Sequence, residues 1–264
     1  MFTSQPTVAD ILALKGRRQI TKLRVESMEE AAAAHAAGID MLSVPPELLL
    51  QDGFRDACPT PFVVGGLEPG LFVTEEDYLR IAFKLLKIGA NAVYCGASLP
   101  IVRRLRDEGI PVVGHVGLIP SRRTWTGGFK AVGKTFESAR WVWEQTRALE
   151  AAGAFAAEIE VVPPEVASAI SARTSMLMIS MGAGGGCDAQ YLFATDVLGS
   201  HRGHYPRHSK VYRDFFSENE RLQKERIAAF REYAADVDGG AFPEQKHLVK
   251  MDPTERDKFL SLFE

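Results

Sequence analysis

Cysteine, long apolar runs and excess charge are all scarce in this chain of 264 residues. Its three cysteines, Cys58, Cys95 and Cys187, are widely spaced and form no Cys-x-x-Cys pair, which argues against a disulfide framework and a cysteine zinc site. Nowhere do about 18 apolar residues follow one another, and the first residues do not resemble a secretory signal. With 31 basic and 34 acidic residues, the chain lacks the basic excess typical of nucleic-acid binding. We therefore expect a soluble, unprocessed cytoplasmic protein with no nucleic-acid and no membrane partner.

What the sequence does contain is an alternation of short apolar runs and helical patterns. The apolar runs predict strands at residues 19–25, 41–44, 61–64, 92–95, 111–116, 156–161, 176–181 and 191–197. The helical patterns lie between them, at residues 28–37, 75–88, 99–108, 138–152 and 164–173. About eight alternations of strand and helix in a chain of this length are typical of an α/β protein with a (β/α)8 TIM barrel. The prediction is a single barrel domain over residues 1–264, with a cap helix at 7–14 and a helical C-terminal extension at 217–264.

A doubly wound open sheet is the alternative architecture. The run Gly182-Ala183-Gly184-Gly185-Gly186 resembles a dinucleotide-binding loop. Such a loop follows the first strand of its fold and precedes an acidic residue by about twenty positions, whereas this run follows the seventh predicted strand. Because glycines after strand seven of a barrel leave room for a substrate anion, Gly182 is a candidate substrate-binding residue.

Polar residues stand at the ends of two predicted strands. In a barrel, side chains at the carboxyl ends of the strands point into the active site, and both His115 and Glu160 occupy such positions. Glu160 is followed by Val-Val-Pro-Pro, and a poorly solvated carboxylate there suits a general base. The structural alternatives are a buried carboxylate paired with lysine or arginine, and a core histidine bonded to a backbone carbonyl.

Charged residues also alternate along the first predicted strand. Lys22, Arg24 and Glu26 all face the same side of that strand. If this side is the barrel lumen, they place a strong cationic group in the site. If it faces outward, they form salt bridges beneath the surrounding helices. The polar loop at residues 120–130 is likewise typical of either a lid or a solvated connection.

The second half of the chain resembles the ketopantoate hydroxymethyltransferase family. The ordered motifs that carry this resemblance are Gly114-His115-Val116-Gly117-Leu118-Ile119-Pro120, Gly127-Gly128-Phe129-Lys130, Leu149-Glu150-Ala151-Ala152-Gly153-Ala154, Glu160-Val161-Val162-Pro163, Gly182-Ala183-Gly184 with Cys187-Asp188 and Gln190, Asp196-Val197-Leu198-Gly199, and Phe242-Pro243. The resemblance implies a (β/α)8 barrel of the phosphoenolpyruvate mutase and isocitrate lyase superfamily, and a ring-like homo-oligomer.

The resemblance also implies a reaction. That family transfers a hydroxymethyl group from methylenetetrahydrofolate to the 2-oxo acid 2-oxoisovalerate, with Mg²⁺ polarising the oxo acid and a glutamate taking the proton. Glu160 matches that glutamate, and His115 matches the histidine of the family's pocket.

The first half of the chain departs from the family where the metal is held. Pro46 and Gly66 stand at the positions of metal-binding aspartates after strands two and three. After strand four, Tyr94 and Gly96 replace a substrate lysine and a third carboxylate. On strand one, the family's Thr-Ala-Tyr-Asp becomes Arg24-Val25-Glu26-Ser27. Because Mg²⁺ is usually anchored by carboxylates, the family's ligand set is lost.

Three interpretations of this loss are open. Glu47 and Glu68 lie next to the lost positions and are candidates for a displaced Mg²⁺ site. Alternatively, Arg24 with Lys22 takes the place of the metal, because arginine binds carboxylates bidentately and can stabilise an enolate. In the third interpretation catalysis is lost, and the barrel binds a small acid or a partner.

The leading prediction is an enzyme that acts on a 2-oxo acid by proton abstraction or carbon–carbon bond chemistry. Glu160 and His115 are its predicted catalytic residues. The predicted substrate-binding residues are Arg24, Lys22, Glu26, Glu47, Tyr94 and Gly182. The rival prediction from another reaction class is a metal-independent lyase or hydrolase acting on a different small carboxylic acid.

Overall fold

A computed structural model describes residues 4–67 and 70–263. The chain divides into two compact units, Met1–Arg213 and Asp214–Glu264. In the first unit, eight parallel strands close into a barrel in chain order, which confirms the predicted TIM barrel. The strands are β1 (Ile20–Arg24), β2 (Met41–Val44), β3 (Phe62–Leu67), β4 (Ala92–Cys95), β5 (Val112–Gly117), β6 (Ala156–Glu160), β7 (Leu177–Met181) and β8 (Ala189–Phe193).

Helices precede, separate and follow these strands. They are α1 (Val8–Leu12), α2 (Met28–Ala36), α3 (Pro46–Leu49), α4 (Phe54–Ala57), α5 (Glu75–Lys87), α6 (Leu99–Asp107), α7 (Arg123–Thr126), α8 (Phe136–Ala151), α9 (Pro164–Ser171) and α10 (Ala194–Leu198). Several begin at a hydroxyl residue that caps the helix. At α5, the Thr74 side chain accepts from the backbone N–H of Asp77, and the Asp77 carboxylate accepts in return from that of Thr74.

The predicted position of the C-terminal end of the eighth strand was wrong. The apolar run at 191–197 predicted one continuous strand, whereas β8 ends at Phe193 and α10 follows at once. Strand β8 ends where its partner strand β1 ends, because Phe193 pairs with Arg24, the last residue of β1. Beyond it, the N–H of Ser200 donates to the carbonyl of Thr195 and closes a helical turn. The other predicted strands each overlap an observed strand.

The barrel lumen changes from apolar to polar along its axis. Its amino-terminal end is filled by fully buried apolar side chains that alternate along the strands, among them Ile20, Met41, Phe62 and Leu177, and Ile11 of α1 packs with them. Each such side chain contributes about 1.5–3 kcal/mol of burial free energy. Because Ile20 faces the lumen, Lys22 and Arg24 on the same strand also face it, which decides between the two predicted orientations.

The second unit contains α11 (Phe215–Asp238) and α12 (Pro253–Leu260). Helix α11 covers the predicted helical pattern at the start of the C-terminal extension, and neither helix has a buried residue. Among the residues that the structure describes, no helix combines the length and apolar character needed to cross a membrane.

Candidate functional site

A cavity of about 780 Å³ opens at the carboxyl ends of the strands. Every strand contributes to its wall, through Arg24, Ser43, Gly66, Tyr94, His115, Glu158, Glu160, Met181, Tyr191 and Phe193. Loop residues complete it, among them Leu118 to Ser121, Phe129, Val161, Gly182 and residues between His204 and Ser209. Active sites of TIM barrels lie at this end, which makes the cavity the candidate active site.

Glu160 is the last residue of β6 and points into this cavity. It is only 7% exposed, and its Oε2 lies 3.2 Å from Nε2 of His115. Within the described residues, the ionic partner of Glu160 is this histidine and not a lysine or arginine. The side chain is therefore a buried carboxylate that faces open space beside an imidazole, which is the arrangement that a general base requires.

The backbone around Glu160 is closely packed and strained. Val161 has a φ of 49°, a left-handed conformation that β-branched residues rarely adopt. Its N–H donates to the carbonyl of Met181, and its own carbonyl accepts from the N–H of Val132. On the neighbouring strand, a β-carbon added at Gly117 would lie 2.6 Å from the Glu160 carbonyl oxygen. Strain of this kind persists where the surroundings enforce it, so the position of Glu160 is tightly fixed.

His115 links Glu160 to the rest of the site. Its Nε2 lies 2.9 Å from the carbonyl oxygen of Leu118, and because a carbonyl only accepts, we assign the ring proton to Nε2. Its Nδ1 then accepts from the Tyr94 hydroxyl, 2.8 Å away. Burial, reinforced by the charge of Glu158, raises the pKa of that hydroxyl well above its ordinary value, so Tyr94 remains a donor. His115 thus makes the expected bond to a backbone carbonyl and also lines the cavity.

An ion pair between Lys22 and Glu158 crosses the lumen beside this network. The Nζ of Lys22 lies 2.5 Å from Oε1 of Glu158, with side chains 0% and 5% exposed. The same Nζ lies 4.3 Å from the centroid of the Tyr191 ring. Burial, reinforced by the charge of Glu158, raises the pKa of the Tyr191 hydroxyl well above its ordinary value. Sequence reasoning missed Glu158, although it stands two positions before Glu160 and therefore on the same face of β6.

Arg24 supplies a second cation, at the end of β1. Its Nε–H donates to Oε1 of Glu26 at 2.5 Å, and its guanidinium carbon lies 5.7 Å from the centroid of the Phe193 ring. Arg24 lines the cavity wall, whereas Glu26 is exposed and holds the arginine from outside it. Arg24 and Glu160 are therefore both presented to the same cavity, as a cation and a carboxylate.

The remaining predicted site residues divide into two groups. Tyr94 and Gly182 lie in the cavity wall. Glu47 lies on α3 with its side chain exposed, and it is not among the residues that line the cavity. Glu68, the other candidate for a displaced metal site, lies outside the described residues.

Comparison with known proteins supplies the family. A family model described as ketopantoate hydroxymethyltransferase matches residues 51–245. A 3-methyl-2-oxobutanoate hydroxymethyltransferase from Kosmotoga olearia is 33% identical over 267 residues, covering 92% of this chain and 97% of that protein. The chain belongs to the ketopantoate hydroxymethyltransferase family. Another member of this family, from Heliobacterium modesticaldum, is 39% identical over 199 residues, covering 74% of this chain and 70% of that protein.

Solved structures confirm the barrel fold. An oxaloacetate acetylhydrolase matches with a TM-score of 0.57 and 12% identity, over 89% of this chain and 98% of that one. A 2,3-dimethylmalate lyase, described as a member of the PEP mutase/isocitrate lyase superfamily, matches with a TM-score of 0.50 and 12% identity, over 97% and 99% of the two chains. At such low identity these likenesses establish the barrel fold alone.

The residues at the family's metal positions do not fit Mg²⁺. Pro46 is the first residue of α3, Gly66 contributes only backbone to the cavity wall, and Gly96 follows β4. Mg²⁺ requires oxygen ligands in near-octahedral geometry, and neither proline nor glycine has a side-chain oxygen. Across residues 4–67 and 70–263, no group of three or more histidine, cysteine, aspartate or glutamate side chains is placed to hold a metal ion. The chain thus has Glu160, which the resemblance matches to the family's base, without the carboxylates implied for its metal.

Proposed function

We propose that this protein is an enzyme that removes the C3 proton of a 2-oxo acid to form an enolate. The observation that carries this proposal is the buried carboxylate of Glu160, which faces the same cavity as the Arg24 guanidinium. Membership of a family whose relatives are named for hydroxymethyl transfer to 3-methyl-2-oxobutanoate supports the class of substrate. This compound, also called 2-oxoisovalerate, has a single hydrogen on C3.

Arg24 is proposed to hold the oxo acid in place of a metal. A planar guanidinium binds a carboxylate through paired hydrogen bonds, and Glu26 fixes the orientation of Arg24 by accepting its Nε–H. When the C3–H bond breaks, its electron pair moves into the C2–C3 bond and the oxo oxygen becomes negatively charged. The positive charge of Arg24 stabilises this oxygen, and the proton passes to the carboxylate of Glu160.

His115 and the Lys22–Glu158 pair are proposed to position these groups. The Nε2–H of His115 lies within reach of both the Leu118 carbonyl and the Glu160 carboxylate, so it can orient the base and share its proton. Lys22 is fully buried, and it therefore acts on the cavity through Glu158 rather than by touching the substrate. Its ammonium group balances the charge that Glu158 places in the wall.

The fate of the enolate separates the remaining hypotheses. In a hydroxymethyltransferase, C3 of the enolate forms a bond to a one-carbon unit, and methylenetetrahydrofolate stays the predicted donor. A lyase that breaks a bond at C3 passes through the same enolate. A barrel that has lost catalysis binds the acid and leaves its C3–H bond intact. Exchange of that hydrogen with solvent therefore tests the proposal without a carbon donor.

Replacing Arg24 with glutamine is expected to slow this exchange by about 100-fold, the scale of one lost oxyanion-stabilising group. The measurement is loss of the C3 proton signal of 3-methyl-2-oxobutanoate in D₂O, followed by proton NMR. Arg24→Lys keeps the charge without the planar fork, so we expect an intermediate rate. Arg104→Gln is the matched control, because Arg104 lies on α6 and its side chain is half-exposed. Exchange at the wild-type rate in Arg24→Gln would remove Arg24 from the mechanism.

We also propose a homo-oligomer. None of the residues of α11 is buried, and Ile227, Phe230 and Tyr233 expose 40%, 71% and 59% of their surface. Their spacing places these apolar side chains close together along the helix. Exposed apolar surface of this kind is typical of protein interfaces.

A further inference from the structure

The segment after α10, residues 200–213, adds basic side chains to the cavity wall. In this segment, here called the mouth loop, His204, Arg207 and His208 all line the cavity. Sequence reasoning did not single them out, because no pattern within the loop shows which of its basic residues turn inward. Enolate formation by Arg24 and Glu160 does not use these three basic side chains.

Asp196 anchors the mouth loop to the barrel. This buried residue of α10 accepts a hydrogen bond from the Ser209 hydroxyl at 2.6 Å, and its other oxygen lies 3.1 Å from Nε2 of His201. The Tyr205 ring stacks on His201 with 4.4 Å between centroids, and its hydroxyl donates to the His201 carbonyl. The contacts of His201 and Ser209 therefore tie the loop to α10, and His204, Arg207 and His208 lie in the cavity wall.

The glycine loop after β7 makes room for this arrangement. Gly182 has a φ of 70°, and a β-carbon added there would lie 2.9 Å from the imidazole of His208. A larger residue at Gly182 would displace the histidine from the cavity wall. Gly182 therefore makes room for His208, and its predicted role in binding substrate stays a prediction.

The carboxylates of the cavity already have partners. Glu158 is paired with Lys22, and Glu160 lies beside His115. Asp196 is occupied by the contacts that anchor the loop. In the part of the chain that the structure describes, no carboxylate pairs with Arg207. An arginine in a cavity wall without an acidic partner suits an anionic ligand.

We propose that the mouth loop binds a second anionic group of the substrate. The ligand is then a 2-oxo acid that carries a further carboxylate or phosphate at its far end. This inference rests on the proposed function, because it assigns the first carboxylate to Arg24. A cavity of about 780 Å³ lies in the range that holds drug-sized ligands, so there is space beyond a five-carbon acid.

The test compares two ligands that have the same shape and differ in charge. 2-Oxoglutarate ends in a carboxylate, and 5-methyl-2-oxohexanoate ends in an isopropyl group of similar shape. By calorimetry with the full-length chain, we expect 2-oxoglutarate to bind about tenfold more tightly, the scale of one hydrogen bond to a charged group. Arg207→Gln should abolish this preference and leave the affinity for 5-methyl-2-oxohexanoate unchanged. Lys210→Gln is the matched control, because Lys210 belongs to the same loop but does not line the cavity.

The possible outcomes separate this inference from the proposed function. If both acids bind equally to the wild-type protein, or if Arg207→Gln keeps the preference, the second anionic site is wrong while the role of Arg24 stands. If neither acid binds and Arg24→Gln changes nothing, the proposed function itself fails. 3-Phosphonopyruvate tests which anionic group the mouth loop prefers. If it binds more tightly than 2-oxoglutarate, the mouth loop binds phosphorus oxyanions.

Discussion

Glu160→Gln is expected to slow C3 hydrogen exchange by about a thousandfold, within the range that a positioned general base contributes. Glutamine has the shape of glutamate and can keep an oxygen in the place of Glu160 Oε2, which lies 3.2 Å from Nε2 of His115. It cannot take up the proton that leaves C3. Binding of 3-methyl-2-oxobutanoate, measured by calorimetry, should therefore stay close to that of the wild type while exchange is lost.

Glu165→Gln is the matched control for this variant. Glu165 is an exposed glutamate in the first turn of α9, a few residues after Glu160, and it does not line the cavity. We expect it to exchange C3 hydrogen at the wild-type rate. Should Glu160→Gln do so as well, Glu160 is not the base, and the buried carboxylate is a structural element of the barrel.

Lys22→Met is expected to lower the free energy of unfolding by about 3–5 kcal/mol. Methionine fills a similar volume but leaves the carboxylate of Glu158 buried without its cation. In the wild-type protein, the same carboxylate lies 2.5 Å from the ammonium group of Lys22. The measurement is urea unfolding followed by circular dichroism, with the free energy extrapolated to water.

The double variant Lys22→Met/Glu158→Gln distinguishes loss of pairing from loss of packing. Because it removes both charges, it should recover most of the stability that the single variant loses. Lys87→Met, at the exposed end of α5, is the control for replacing a lysine with methionine. A double variant no more stable than Lys22→Met would show that the ion pair contributes little and that packing of the lysine stem is what matters.

The barrel and part of the site could be predicted from the sequence because each depends on local patterns. Alternating apolar runs and helical segments predicted the strands, and strand-end positions predicted that His115 and Glu160 share the cavity. The predicted C-terminal end of β8 was wrong, since the predicted strand continued through Thr195 and Asp196, which belong to the short helix α10.

Other parts of the site depend on contacts between distant residues. Lys22 and Glu158 are 136 positions apart, and only the closed barrel shows that their side chains meet across the lumen. The mouth loop is similar, because the place of the exposed Arg207 in the cavity wall depends on how Asp196 holds His201 and Ser209. Resemblance to the family did not reveal either feature, although Asp196 stands in one of the matching motifs.

The most direct test of the central claim is C3 hydrogen exchange by wild-type protein from which metal ions have been removed with EDTA. The claim is that Arg24 and Glu160 form the enolate without a bound Mg²⁺, because Pro46, Gly66 and Gly96 bring no side-chain oxygen to the positions implied for the family's metal. We expect chelated protein to exchange the C3 hydrogen of 3-methyl-2-oxobutanoate at the same rate as untreated protein, and added Mg²⁺ to leave that rate unchanged. Exchange that disappears with EDTA and returns with Mg²⁺ would contradict the account.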